Sequence, residues 1–255
     1  MRRTLGLLLL LISPLLVQTL FGGVQETAGK AGPQVTREAV CRWAKTPPVL
    51  DGKLDDPCWK DAQVIDKFAA FWSGTALPKT TRAYLVWDDD ALYYAAKLTD
   101  AELRAFGTER NDSLWNGDVF ELFFRPDPAR PPYYEFQANP RSVVFEMFFP
   151  EGHTGPDVKK APPLGSKAVA VVDGTLDRPG DRDRGWSVEG RIPWSAFAPT
   201  GGKPRPGATW TFALCRYDYG PEGTKPVTMS SAPLTRPNFH RKEDYGRLRF
   251  EGPRK

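Results

Sequence analysis

Short β-rich runs, each closed by a turn, fill this chain from Thr81 to Phe250, and no stretch of similar length carries helical periodicity. A chain of this pattern has to bury its apolar side chains between sheets. Thr81 to Trp87 and Ala91 to Leu98 flank Asp88-Asp89-Asp90 and form a hairpin candidate. Val119 to Phe124, Tyr133 to Ala138 and Ser142 to Phe149 follow, divided by Pro-rich turns and by Asn139-Pro140-Arg141. Ala168 to Val172, Trp186 to Ile192, Thr209 to Tyr217, Val227 to Met229 and Arg247 to Phe250 complete the set. The 25 Pro and 23 Gly supply the turns, and βαβ alternation is absent. The expected fold class is therefore all-β, an antiparallel β-sandwich. Within it Trp186, Val188 and Ile192 alternate with Ser187, Glu189 and Arg191, which predicts one buried and one polar face. Two short helices are expected, one from Pro57 to Ala62 and one turn at Pro193 to Phe197, since proline suits a first helical position. The aspartates Asp51, Asp55 and Asp56 sit where a turn and a helix cap are expected.

The N-terminus reads as a targeting signal. Arg2 and Arg3 precede an apolar run from Leu5 to Leu16, too short and too broken by Pro14 to span a bilayer. The organisation expected is a signal peptide over residues 1–23 with cleavage between 22 and 32, a polar linker over 24–36, and one β-sandwich over 37–255. That organisation predicts a secreted or periplasmic protein with no membrane span once the signal is gone.

The formal charge is +4 and falls by two when Arg2 and Arg3 leave with the signal. Basic residues are scattered, so nucleic acid is excluded as an expected partner. Cys41, Cys58 and Cys215 are the three cysteines. An exported chain can pair Cys41 with Cys58, but three buried free thiols are the simpler expectation. No Cys-x-x-Cys pair or His-rich cluster offers a zinc site.

The stretch Trp115-Asn116-Gly117-Asp118-Val119-Phe120-Glu121 carries the strongest functional signal. It places an aromatic ring on a loop ahead of a strand that bears a carboxylate among large apolar residues. Flat aromatics stack on the apolar faces of sugars or bases, and a fixed carboxylate accepts hydrogen bonds from hydroxyls. A packing tryptophan explains the same pattern, and no nucleophile or metal cluster surrounds it.

Five segments in order resemble family 9 carbohydrate-binding modules. They are Pro48-Val49-Leu50-Asp51-Gly52-Lys53-Leu54-Asp55-Asp56-Pro57-Cys58-Trp59, Ala83 to Asp88, Leu92-Tyr93-Tyr94, Trp115 to Glu121, and Asp244 to Phe250. The likeness runs over about residues 37–252. It implies a β-sandwich of jelly-roll or immunoglobulin-like type, related to the DOMON group, that holds a sugar between two aromatic rings near one end of the sandwich. By that resemblance Trp115 and Phe239 are the rings, and Glu121, Gln137, Asn139 and Arg236 are the polar ligand-binding residues. The hydrogen-bonding set departs from the family: Gln137 stands where an arginine is expected, Cys215 where a glutamine is, and Arg236 where an asparagine is. The resemblance implies non-catalytic saccharide or polysaccharide binding, with a place in polysaccharide catabolism beside glycoside hydrolases.

Three other readings are open on the sequence. Glu121, Glu135 and Glu146 lie on successive strands, and a carboxylate pair such as Glu121 and Glu135 performs glycoside hydrolysis when both face one cleft. The DOMON relationship raises a b-type haem domain for electron transfer, with Met147, His153, Met229 and His240 as axial-ligand options. Asp88, Asp90 and Asp100, with Asp89, are candidates for a structural calcium, although solvated turn aspartates explain them as well. No cofactor is otherwise expected, and the oligomeric state is open.

Overall fold

The computed structural model describes residues 35–70, 77, 80–151, 157–222 and 224–253. The expected signal peptide, most of the linker, and His153 lie outside the described residues. Twelve strands and one short α-helix follow in order: β1 (Glu38–Trp43), α1 (Pro57–Asp61), β2 (Ala69–Ala70), β3 (Thr81–Trp87), β4 (Ala91–Thr99), β5 (Val119–Arg125), β6 (Tyr133–Ala138), β7 (Val144–Phe149), β8 (Lys167–Asp173), β9 (Gly185–Pro193), β10 (Thr209–Asp218), β11 (Val227–Ser230) and β12 (Gly246–Phe250). Short 3-10 turns cover Leu114–Asn116, Val158–Lys160, Trp194–Thr200 and Lys242–Asp244. No helix among the described residues is long and apolar enough to cross a membrane.

The strands form two facing sheets. One runs β7-β6-β5-β10-β12-β1 and the other β1-β3-β4-β9-β8, with β11 lying against β10 and β2. β1 belongs to both. Its first half, from Glu38 to Cys41, pairs with β12, and Arg42 and Trp43 pair with β3. Both pairings are parallel, which corrects the expectation of a wholly antiparallel sandwich; every other strand pair is antiparallel. At the far ends of the path, the Ser142 hydroxyl accepts the Ala170 amide at 2.8 Å and draws β8 towards the β6–β7 turn. Together these contacts bring the sandwich close to a closed barrel.

Alternation along the strands produces three apolar layers. Leu85, Trp87, Tyr94, Leu98, Phe120, Leu122, Phe124, Phe136, Val188, Phe212 and Leu214 fill the space between the sheets. Ala91, Tyr93 and Ala95 turn the other way and pack beneath α1 through Cys58, Trp59 and Ala62. Val119, Phe123, Tyr133, Phe145, Met147, Ala213 and Cys215 lie on the outer face of the first sheet. That outer face carries the candidate site.

Several local features follow from buried carboxylates. Glu189, on the expected polar face of β9, is buried. It accepts the amides of Asp51 and Gly52 at 3.0 and 2.8 Å and the Trp59 indole N–H at 2.7 Å. The opening signature is thereby bound to a strand more than a hundred residues later. Asp56 makes no side-chain cap on α1, contrary to expectation, and accepts the Val49 amide at 3.1 Å instead. All three cysteines are buried free thiols. Burial pushes the Cys58 thiol up to about 12 and raises Cys41 and Cys215 as well.

Candidate functional site

Trp115 owes its position to the two residues after the next. A Cβ on Gly117 would meet the Phe106 amide nitrogen at 2.5 Å and the Arg104 carbonyl oxygen at 2.8 Å, so glycine is needed for the close approach of these segments. Asp118 then secures the contact. Its carboxylate accepts the Arg104 amide and the Tyr219 amide, each at 2.7 Å. Burial, and then the nearby Asp100, push the Asp118 carboxyl up to about 8. The Trp115 ring is half-buried and meets Phe145 edge-on at 5.6 Å.

Cross-strand register lines up the polar floor. Cys215, Glu121, Gln137 and Phe145 form one row across β10, β5, β6 and β7. Ala213, Phe123, Glu135 and Met147 form the next row. Because strand side chains alternate, Glu121, Glu135 and Gln137 all leave the sheet on the face turned away from the inter-sheet core. Glu146 has the opposite parity. It accepts the Leu164 and Ser166 amides at 2.8 Å, bonds the Ser166 hydroxyl and pairs with Arg110. The three glutamates on successive strands therefore do not share a cleft.

The result is a cavity of about 350 Å³ lined by Trp115, Glu121, Glu135, Gln137, Phe145, Phe149, Tyr217 and the segment Pro237-Asn238-Phe239-His240. It sits on the outer face of the first sheet, whereas the sequence pointed to one end of the sandwich. The covering segment is well tied: Asp244 accepts both the amide and the hydroxyl of Thr235, and the Tyr245 hydroxyl donates to the Phe239 carbonyl at 2.8 Å. Phe239 is only 4 % exposed and meets the Tyr217 ring edge-on at 5.3 Å.

Four of the six sequence-derived ligand residues, Trp115, Glu121, Gln137 and Phe239, come together in this cavity. Asn139 and Arg236 do not line it. The Asn139 amide group donates to the Phe106 carbonyl at 2.9 Å while its oxygen accepts the Arg141 and Val143 amides, so all its capacity is spent on the β6–β7 turn. Arg236 is exposed on the covering loop. Phe145, Phe149, Tyr217 and Asn238 were not foreseen. The alternation of Phe145, Met147 and Phe149 on the strand next to Gln137 was the signal that could have found the first two.

The floor is rich in acceptors and poor in charge compensation. Gln137 Nε2 donates to Glu135 Oε1 at 2.6 Å, and its own Oε1 is buried with no partner. No donor among the described residues bonds the Glu121 carboxyl. Burial, then repulsion from Glu135, raises Glu121 well above the usual carboxylate range. Burial raises Glu135 to about 7, against the hydrogen bond from Gln137. His240 Nδ1 lies 3.9 Å from Glu135 Oε2 and 3.0 Å from the Tyr133 hydroxyl.

The same geometry bears on the alternative readings. Hydrolysis needs two carboxyls driven apart, one ionised and one protonated. Here Glu121 and Glu135 line one cavity, and burial drives both upward, with repulsion from Glu135 adding to the rise of Glu121. For haem, Met147 is buried in the outer apolar layer and does not line the cavity, and Met229 lies in the inter-sheet core within 3.5 Å of the Thr81 hydroxyl. The described residues thus bring no methionine to the cavity beside His240, so no Met–His pair among them is placed to ligate haem.

The calcium candidates are also separated. Asp88 accepts the Asp90 and Ala91 amides and the Tyr93 hydroxyl, which saturates it as the hairpin turn. Asp100 lies at the other end of β4, where its carboxylate oxygen comes within 4.8 Å of those of Asp118 and Asp218. The buried Arg216 already occupies that group, 2.9 Å from Asp100 and 3.4 Å from Asp218. A guanidinium in this position supplies the positive charge a cation would bring, so the donors do not fit a resident calcium.

Comparisons with known proteins converge. The family described as "Carbohydrate family 9 binding domain-like" matches residues 50–253. The endo-1,4-beta-xylanase A of Thermotoga maritima is 24 % identical over 208 residues, covering 80 % of this chain, and the chain spans 17 % of that protein's length. A carbohydrate-binding module of family 9 from Caldicellulosiruptor kristjanssonii, solved with cellotriose, superposes with a TM-score of 0.58 at 18 % identity, covering 85 % of this chain and 95 % of that one. The same organism's module with glucose gives 0.57 at 17 % identity, covering 85 % and 97 %.

Proposed function

The chain belongs to the carbohydrate family 9 binding domain-like family, and from that premise we propose that it is an exported, non-catalytic module that binds a saccharide in the outer-face cavity. The observation that carries the reading is the cavity itself: aromatic walls enclose a floor of buried acceptors. Sugars present apolar C–H faces and hydroxyl donors, and this combination suits both. Trp115 and Phe239 supply stacking surface, while Glu121, Glu135 and Gln137 accept hydroxyl hydrogens. The finer fold assignment, a jelly-roll or immunoglobulin-like sandwich of the DOMON group, goes with this reading. So does a role in polysaccharide breakdown beside separate hydrolases.

Stacking contributes about 0.5–1.5 kcal/mol per ring beyond burial. Two rings and a few hydrogen bonds correspond to affinities of roughly micromolar to millimolar order. Isothermal titration of the protein with glucose, cellotriose and a panel of other mono- and oligosaccharides tests the proposal. Saturable binding should appear and should weaken at least tenfold in Trp115→Ala with the fold intact. A folded protein that takes up no saccharide, or a Trp115→Ala variant that binds as well as the parent, contradicts it.

A further inference from the structure

Glu121 and Glu135 are 2 % and 4 % exposed, and Gln137 is 1 % exposed, yet all three face a cavity large enough for one sugar ring. Their free valences are all of one kind. Among the described residues no donor bonds Glu121, Glu135 shares one oxygen with Gln137 Nε2, and Gln137 Oε1 is unpartnered. Once the carboxyls are ionised the floor only accepts, so a ligand that fits it then arrives as a donor.

The charge balance narrows the class of donor. Neither Lys nor Arg lines the cavity among the described residues, and His240, at 3.9 Å from Glu135, is the one basic side chain in the lining. The Lys242 ammonium stays outside, over the Tyr133 ring at 5.4 Å, and donates to the Pro131 carbonyl. The other acids around the floor, Cys215, Tyr133, Tyr217 and Tyr245, are all held neutral by burial and so neither add to nor offset the carboxylate charge. Among the described residues the site therefore holds two carboxyls and, beside His240, no basic side chain. The walls, Trp115, Phe145, Phe149, Tyr217 and Phe239, present aromatic surface, which attracts cations.

Resting on the saccharide reading above, we infer that this cavity selects a sugar bearing a protonated amine over its neutral counterpart. A neutral hydroxyl gives an ordinary hydrogen bond to the floor. An ammonium group gives charge-assisted bonds about twice as strong to an ionised carboxyl, and so favours ionisation of a floor that burial otherwise keeps protonated. The amine is directed to Glu121, the acceptor without a protein partner, and the remaining hydroxyls to Gln137 Oε1 and Glu135.

The test is titration of the intact protein at pH 7 and low salt with glucosamine, glucose and N-acetylglucosamine. Glucosamine is expected to bind at least tenfold more tightly than glucose, and acetylation of the amine should remove the advantage. Glu121→Gln should bring the ratio of glucosamine to glucose affinity close to one, whatever happens to either affinity. Glu135→Gln carries the same comparison if the first variant does not fold. Equal affinities for glucosamine and glucose in the parent protein overturn the inference and leave the saccharide reading standing. A preference that survives unchanged in both variants overturns it too. Silence towards every sugar overturns both.

Discussion

The two buried glutamates make the stability of this protein fall as pH rises through neutrality. Glu135 ionises near 4.5 when unfolded and near 7 when folded, because the folded site is dry. The folded state thus keeps a proton that the unfolded chain releases, and where the native state holds more protons, unfolding free energy declines with pH. Stability from this group is complete below about pH 4.5 and is lost as pH climbs through 7. Each tenfold change in proton affinity is worth about 1.4 kcal/mol, so the interval corresponds to about 3 kcal/mol. Glu121 is displaced in the same direction by burial and by Glu135. Asp100, raised to about 6, and Asp118, raised to about 8, tilt the curve the same way. A control has to isolate the cavity pair. Urea unfolding followed by tryptophan fluorescence at pH 5 and pH 8, in the parent and in a Glu121→Gln/Glu135→Gln double variant, does so. The parent should lose about 3 kcal/mol more than the variant across that interval. With slopes of about 1–3 kcal/mol per molar urea, the excess appears as a midpoint shift of about 1 M or more. Parallel pH dependence in the two proteins would falsify the account of the pair, and a parent that gains on the variant at pH 8 would reverse its sign.

Three further outcomes follow from the architecture. Glu189→Ala strips the partner from two buried donors and one half-buried donor and should cost about 3–5 kcal/mol by urea unfolding, with Glu189→Gln milder; a loss below about 1 kcal/mol would mean water replaces the carboxylate. Gly117→Ala drives a methyl into the Phe106 backbone and should lower stability by about 1–3 kcal/mol while weakening sugar binding through displacement of Trp115, which thermal melts and titration read together. Cys41, Cys58 and Cys215 should stay unreactive towards a disulfide reagent until the protein unfolds; rapid titration of a thiol in the native state would contradict their burial and raised ionisation.

What the sequence revealed tracks how local the determining interactions are. The Thr81–Trp87 and Ala91–Thr99 hairpin was readable because Asp88 builds the turn from its own neighbours. β1 was missed as a strand. Its partners, β12 and β3, lie far away in the chain and pair in parallel, so no turn announces them. Glu189 looked like a surface residue of an alternating strand because alternation does not record which loop returns to cover a face. The site divided along the same line. Glu121 and Gln137 sit at positions fixed by strand register, Trp115 lies on the turn just ahead of β5, and Phe239 comes from the covering loop placed by the family resemblance. Asn139 lies outside the cavity lining, and sequence does not tell an amide that completes a turn from one that faces a cavity. Asp100 was grouped with Asp88 by proximity along the chain, although a nine-residue strand of about 3.3 Å per residue separates them.

The parallel union of β1 with β12 also decides how the module answers to force. The chain enters at the Glu38 end of this pair and leaves at the Phe250 end, which are opposite ends of one ladder. Tension applied through the flanking chain therefore slides the two strands along each other and loads the rungs from Glu38–Arg247 to Cys41–Phe250 at the same time. An antiparallel terminal hairpin would open one rung after another. A module pulled through both flanks gives way by the slower route, with its lifetime set by the rate of unfolding under load.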